Sequence, residues 1–302
     1  MTSDASRPLV VVALGGNAIS PPAADLSFAT ERAVIGRAAA EIARLAVQGA
    51  RLLVVHGNGP QVGRLLCAQG IGDSESLDVH VAQTQGELGY LLVEALETRL
   101  ADEPCAALVT RALVDPHDEA FRSPTKPVGA ILAHPPLGVP SVPIPGGHGF
   151  RRVVASPRPI AVLELQAIRV LLTTHHVVAG GGGGVALAAR QGSRAPQPAV
   201  IDKDWVAALL AIALDAERLL FATDVPCAFE AFGSAQARPI GKMPVAEARR
   251  RLASGTFLAG SMAPKVESAI AFTEATGRAA LITTIVELEE ACGGRAGTLV
   301  CP

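Results

Sequence analysis

An α/β fold, with one twisted and mostly parallel sheet between layers of helices, is what this sequence predicts, and three stretches carry the prediction. Residues 9–14 (LVVVAL) are an unbroken apolar run, as expected of a parallel strand buried on both faces, and they stop at Gly15-Gly16-Asn17. Residues 51–55 run likewise into His56-Gly57-Asn58-Gly59-Pro60, and residues 177–179 into the five glycines from Gly180 to Gly184. Glycine at a strand end lets backbone N–H groups approach a ligand that a Cβ would hold off, so three such ends on one sheet imply a single anion-binding crevice. Taken alone, each loop reads as a tight turn.

The elements in order support this alternation. Helical spacing over 27–48 sets Ala33, Val34, Ala38, Ile42 and Leu45 on one stripe, closed by Gly49, and with 51–55 it completes a βαβ unit. A short helix over 62–69 follows, then a long one over 78–100 with Leu88, Leu91, Leu92 and Leu96 on one face, then a buried strand over 106–109. From Ser123 to Ser156 the texture changes: prolines are dense and no helical stripe survives. Two readings compete there, a loose surface insertion and a hinged flap that presents Thr125-Lys126-Pro127 to the crevice. A helix over 160–172 leads into the third glycine loop. Beyond it the pattern predicts a helix over 205–214, a strand over 219–222, helices over 245–253 and 265–275, a strand over 279–283, a helix over 286–291 and a strand over 298–301.

Composition narrows the function. With 302 residues, 49% of them hydrophobic, and a mean hydropathy of +0.36, the chain has ample material for a core. A formal charge of −2 provides no basic field, so neither nucleic acid nor an anionic membrane is expected as partner. No apolar run reaches membrane-spanning length and the start, MTSDASRP, lacks the features of a signal peptide, so a cytoplasmic location is expected. Five cysteines (Cys67, Cys105, Cys227, Cys292, Cys301) are odd in number and scattered, which reads as reduced and structural. The histidines show no metal-ligand spacing, so no protein-held metal is expected, and His56 is the one histidine expected to line a site. GNGPQVG at 57–63 has three residues between its last two glycines where a dinucleotide fingerprint has two, and neither a Walker loop nor a GxSxG elbow is present.

Two lysines sharpen the reading. Asp202-Lys203-Asp204 follows apolar Val200-Ile201 and opens a helix, where aspartate caps well but lysine opposes the dipole. Gly260-Ser261-Met262-Ala263-Pro264-Lys265 opens another, with proline in its first turn and again a lysine at the positive end. Either lysine alone reads as solvated or as paired with a bound anion. Two at two helix starts point to polyphosphate.

With loops and lysines together, the chain resembles the carbamate kinases of the amino acid kinase family. The matching stretches are VVALGGNAI (11–19), HGNGPQVG (56–63), TQGELGYLL (84–92), VDPHDEAFRSPTKPVG (114–129), FRRVVASPRP (150–159), AGGGGG (179–184), VIDKD (200–204) and GSMAPKVESAI (260–270). The resemblance implies an αβα sandwich in two lobes, an acid-substrate lobe over 1–204 that carries a short protruding subdomain at about 123–156, and a nucleotide lobe over 205–302. It implies the reaction ADP + carbamoyl phosphate ⇌ ATP + carbamate, with Mg²⁺ bound through the nucleotide phosphates, and a homodimer. Carried over, it makes Lys126, Lys203, Asp204 and Lys265 catalytic. It assigns Gly15, Gly16, Asn17, Gly57, Asn58, Gly59, Gly181 and Gly182 to the carbamate or carbamoyl phosphate, and Lys203, Thr223, Asp224, Val225, Met262 and Lys265 to ATP or ADP. Two stretches depart from the family's pattern: 223–229 (TDVPCAF) lacks its aromatic text, and 130–145 lacks its charged helix. They keep two other functions open, a different small carboxylate or carbamate-like acceptor and a non-catalytic nucleotide or carbamoyl phosphate binding protein.

Overall fold

The run at residues 9–14 forms a strand, β1 (Leu9–Leu14), that is buried at every position. The computed structural model describes residues 7–20, 27–69, 76–100, 103–144, 147, 149–190, 193–258 and 260–302. β1 runs into one helical turn, α1 (Gly16–Ile19), and α2 (Phe28–Val47) crosses back to β2 (Arg51–His56). α3 (Gly59–Gln69) and α4 (Leu77–Glu97) precede β3 (Cys105–Ala107) and β4 (Arg111–Val114). The chain then leaves the sheet through β5 (Lys126–Leu132), β6 (Ser141–Pro143) and β7 (Phe150–Val154). It returns by β8 (Pro159–Val162), α5 (Leu165–Leu171) and β9 (His176–Val178), and the glycine turn passes it to β10 (Val185–Arg190) and β11 (Ser193–Pro196). α6 (Lys203–Ala213), β12 (Arg218–Thr223), β13 (Ala228–Glu230), β14 (Arg238–Ile240) and β15 (Lys242–Pro244) follow. α7 (Val245–Ala253), α8 (Met262–Thr276), β16 (Ala280–Thr284), α9 (Leu288–Cys292) and β17 (Thr298–Cys301) complete the described chain.

Eight strands make the central sheet in the order β15-β17-β16-β12-β1-β2-β9-β3, parallel throughout except for the β16–β17 pair. Alternation along β1 divides the core. Val11 and Ala13 face one layer with α6 and α8, while Val10, Val12 and Leu14 face the other with α2 and α4. The result is an αβα sandwich. Leu14 stands level with His56 of β2 on one side and Ala222 of β12 on the other, so three strands end at one height. Because the chain steps from β1 to β2 in one direction and later places β12 in the other, that height is a topological switch point, where open α/β sheets bind ligands.

The proline-rich excursion folds as a three-stranded antiparallel sheet, β5-β7-β6, with a bulge at Gly129 and Ala130. It is anchored. Val128 and Val154 bury against Val62 and Leu66 of α3, and Val200 N–H donates to Ala155 O at its base. A second sheet, β11-β10-β4-β8, lies beside it.

One element corrects its expectation. Residues 160–162 belong to strand β8, which pairs antiparallel with β4, and the helix is confined to Leu165–Leu171. A short apolar run serves either period, and the edge of β4 decides between them. The strand expected over 106–109 stops at Ala107. α6 and α8 begin at Lys203 and Met262, earlier than expected, so Lys203 is the first residue of its helix and Lys265 the fourth of the other. Among the described residues no helix is long and apolar enough to cross a membrane.

Candidate active site

The carboxyl ends of β1, β2 and β12, the glycine turn after β9 and the first turns of α6 and α8 open onto one cleft of about 840 Å³, roofed by β5. Of the expected site residues it is lined by Gly15, Gly16, Gly57, Asn58, Gly59, Lys126, Gly182, Lys203, Asp204, Thr223, Asp224 and Lys265. Gly181, Val225 and Met262 do not line it. Gly181 lies over His56 and Gln85, and Met262 packs on the core. The Asn17 side chain lies outside the described residues.

The floor of the cleft is a charge cluster. Asp202 caps α6, its Oδ1 accepting from the Asp204 N–H at 2.9 Å. Asp204 is 3% exposed, and its two oxygens hold two lysines. Lys203 Nζ donates to Oδ1 at 2.6 Å and Lys265 Nζ to Oδ2 at 3.1 Å. Burial pushes the Asp204 carboxyl up, but the ammonium groups of Lys203 and Lys265 more than reverse this and hold it below the usual range. Burial also holds Lys203 below the usual lysine range, against the pull of Asp204 and reinforced by Lys265. Two lysine Nζ atoms thus share one carboxylate. From the roof, Lys126 Nζ donates to Asp202 Oδ2 at 2.9 Å.

The glycines act here mainly by closeness. Gly15 and Gly57 donate their N–H groups to Ala222 O (2.8 Å) and Leu14 O (3.0 Å), so these two amides hold the sheet together and are not turned to a ligand. What glycine permits is approach: a Cβ on Gly57 would lie 2.9 Å from Gly16 N. In the third loop Gly182 has φ +60° and a Cβ there would lie 2.1 Å from Asn58 Nδ2, so the turn closes directly over that amide.

His56 corrects its expectation as well. It is buried under the glycine turn and does not line the cleft, its Nδ1 paired with Gly57 O at 3.0 Å. Burial lowers its pKa to about 4, which makes it a neutral spacer at neutral pH.

Several residues that shape the site were not read from the sequence. Asn58 Nδ2 donates to Thr84 Oγ1 at 2.9 Å, which fixes the amide against Gly182. Gln85 binds Thr110 through the backbone N–H, hydroxyl and carbonyl, and Thr110 Oγ1 accepts the Gly180 N–H at 3.0 Å. α4 thus holds two glycine loops in place. The signal was present, since Thr84 and Gln85 fall on the stripe of Val81 and Leu88 and a polar pair on an apolar stripe needs buried partners. Arg64 and Arg151 also reach the cleft wall. Arg64 pairs with Glu31 and Glu87, and Arg151 donates to Gly129 O at 3.1 Å across the β5 bulge.

The sequence model of the amino acid kinase family matches residues 8–284. Carbamate kinase of Halobacterium salinarum is 38% identical, with 97% of this chain and 98% of that protein covered. Carbamate kinase 2 of Enterococcus faecalis is 36% identical over the same shares. The solved structure of carbamate kinase from Giardia lamblia bound to AMP-PNP superposes with a TM-score of 0.88 at 34% identity, covering 98% of this chain and 99% of that one.

Proposed function

The chain belongs to the amino acid kinase family, and from that premise we propose that it transfers a phosphoryl group reversibly between ATP and carbamate, ADP + carbamoyl phosphate ⇌ ATP + carbamate. The observation that carries the reading is the buried Asp204 with a lysine on each oxygen, at the floor of a cleft that a third lysine enters from the roof.

Phosphoryl transfer asks for in-line positioning and for neutralisation of the negative charge spread over three equatorial oxygens, and it asks for little covalent chemistry. Lys203 and Lys265 supply the positive charge at the transferring group and the nucleotide phosphates. Asp204 holds both ammonium groups at fixed places. Lys126 meets the carbamoyl phosphate. Gly15, Gly16, Gly57, Asn58, Gly59 and Gly182 form the surface against which the carbamoyl group lies, with Gly181 spacing that turn from His56 and Gln85, and Asn17 is assigned to the same group by its place in the sequence. Thr223 and Asp224, at the end of β12, border the nucleotide, and Val225 and Met262 belong to the same nucleotide assignment from outside the cleft lining. Carbamate is already an anion, so the transfer needs no general base.

Mg²⁺ fits this site as a companion of the nucleotide. Both oxygens of Asp202 and of Asp204 are engaged, and among the described residues no cluster of three His, Cys, Asp or Glu is built to hold an ion. Bound through the phosphates, Mg²⁺ supplies charge neutralisation there.

A homodimer belongs to the same proposal. It is supported by a face of α2 and α4 on which Phe28 and Tyr90 are exposed and the Arg32 guanidinium lies 5.5 Å from the centre of the Tyr90 ring. A cytoplasmic setting belongs to the same proposal, in keeping with five cysteines that are all free thiols.

The test is ATP formation from ADP, Mg²⁺ and carbamoyl phosphate by the purified protein. Turnover is expected. Nucleotide binding without turnover would favour the non-catalytic binding protein instead.

A further inference from the structure

Asp202 uses its two oxygens for two different tasks. Oδ1 accepts from the Asp204 N–H at 2.9 Å and caps α6, while Oδ2 accepts from Lys126 Nζ, also at 2.9 Å, across 76 residues of sequence. We infer that Asp202 is a positioning residue for the transfer, holding Lys126 over the lysine pair before substrate enters.

The inference follows from what each task demands. A helix cap needs only an oxygen acceptor, and serine, threonine or asparagine would serve as well. Holding a lysine at a set place needs an anion in a partly shielded setting. Asp202 and Lys126 have that setting, with side chains 16% and 29% exposed, at the mouth of the cleft. Lys126 has a long flexible stem, and a free ammonium there would sample many positions. The carboxylate that restrains it is itself fixed to the start of the helix that presents Lys203 and Asp204. One residue therefore ties the roof lysine to the floor lysines.

The surrounding contacts make the tie geometric. Pro127 keeps the backbone of Lys126 extended. Val200 N–H donates to Ala155 O at 3.0 Å, so the base of the β5-β7-β6 sheet is bonded two residues before Asp202. The Arg158 guanidinium lies 3.5 Å from the centre of the Trp205 ring, joining the connection between β7 and β8 to α6. With the sheet and α6 joined at these points, the remaining freedom is that of the Lys126 side chain, and Asp202 is the group that removes it.

The kinetic part of this inference rests on the carbamate kinase reading, and the test has one arm that does not. Asp202→Asn keeps the cap and removes the charge, so the melting temperature should stay within about 3 °C of the parent. The kcat/KM for carbamoyl phosphate should fall about tenfold, with KM for ADP changed less than about twofold. In a Lys126→Ala background the same substitution should change kcat/KM by less than about twofold, because the group it positions is gone. Separately, the rate of acetic anhydride labelling at Lys126, referred to the exposed Lys242, should rise several-fold in Asp202→Asn. Equal labelling in the two proteins overturns the contact whatever the activity. Equal losses with and without Lys126, or no loss in either, overturn the positioning role. A parent protein that makes no ATP while labelling differs would overturn the carbamate reading and leave the contact standing.

Discussion

Lys265 on α8 and Asp204 on α6 meet through Nζ and Oδ2 at 3.1 Å, although 61 residues separate them in sequence. Lys203 takes the other oxygen, so each lysine is held by the same carboxylate and the three side chains behave as one unit. Lys203→Ala and Lys265→Ala should each lower kcat by at least about a hundredfold, the scale of losing one preorganised charge at a transition state, with the fold retained. Asp204→Ala should do more. It leaves two ammonium groups together in a buried place, and urea unfolding should show a loss of about 3–5 kcal/mol. Near-parent kcat in either lysine variant would remove that lysine from the site.

The acid limb of stability should carry the signature of His56. Its folded pKa of about 4 lies below the ordinary 6.5, so the neutral form is favoured by folding. The stability it contributes is fully present above 6.5 and declines as pH falls toward 4, a change on the order of 3 kcal/mol. Imidazole resonances followed by NMR should show His56 still neutral at pH near 5.5. A midpoint at the ordinary value would contradict its burial under the glycine turn.

Two glycines should respond differently to one methyl group. Gly182→Ala meets Asn58 Nδ2 at 2.1 Å in a left-handed backbone, so both melting temperature and kcat/KM should drop, the latter by at least about tenfold. Gly59→Ala meets nothing within 4 Å because its Cβ would enter the cleft. Its melting temperature should hold while KM for carbamoyl phosphate rises. An unchanged KM would take Gly59 out of the substrate surface.

Assembly is checked by light scattering at micromolar concentration. The expected mass is twice the 30.9 kDa of one chain, and Tyr90→Glu on the exposed face of α4 should shift it toward one chain. A single-chain mass for the parent protein would remove the dimer.

The central strands and their glycine ends were legible because their signals are local. A run such as Leu9 to Leu14 can be buried on both faces only as an inner strand, and the glycines that follow mark its end whatever lies beside it. α2 was readable for the same reason, from its stripe and closing glycine. Residues 160–162 were not, since three apolar residues fit either period until β4 offers an edge to pair with.

The sequence by itself also determined that lysines stand at two helix starts and that a third sits between prolines. Tertiary structure alone decided what they do to one another. Asp204 could be read as a capping neighbour of Lys203, but its second oxygen is claimed by a residue on α8, and Asp202 is claimed by one on β5. Thr84 and Gln85 are polar on an apolar stripe, and only the fold brings Asn58 and Thr110 to meet them. The physical reason is common to all four. A charge or hydrogen-bonding group shows its type in the sequence, but the partner that satisfies it when buried is chosen by which strands and helices lie adjacent.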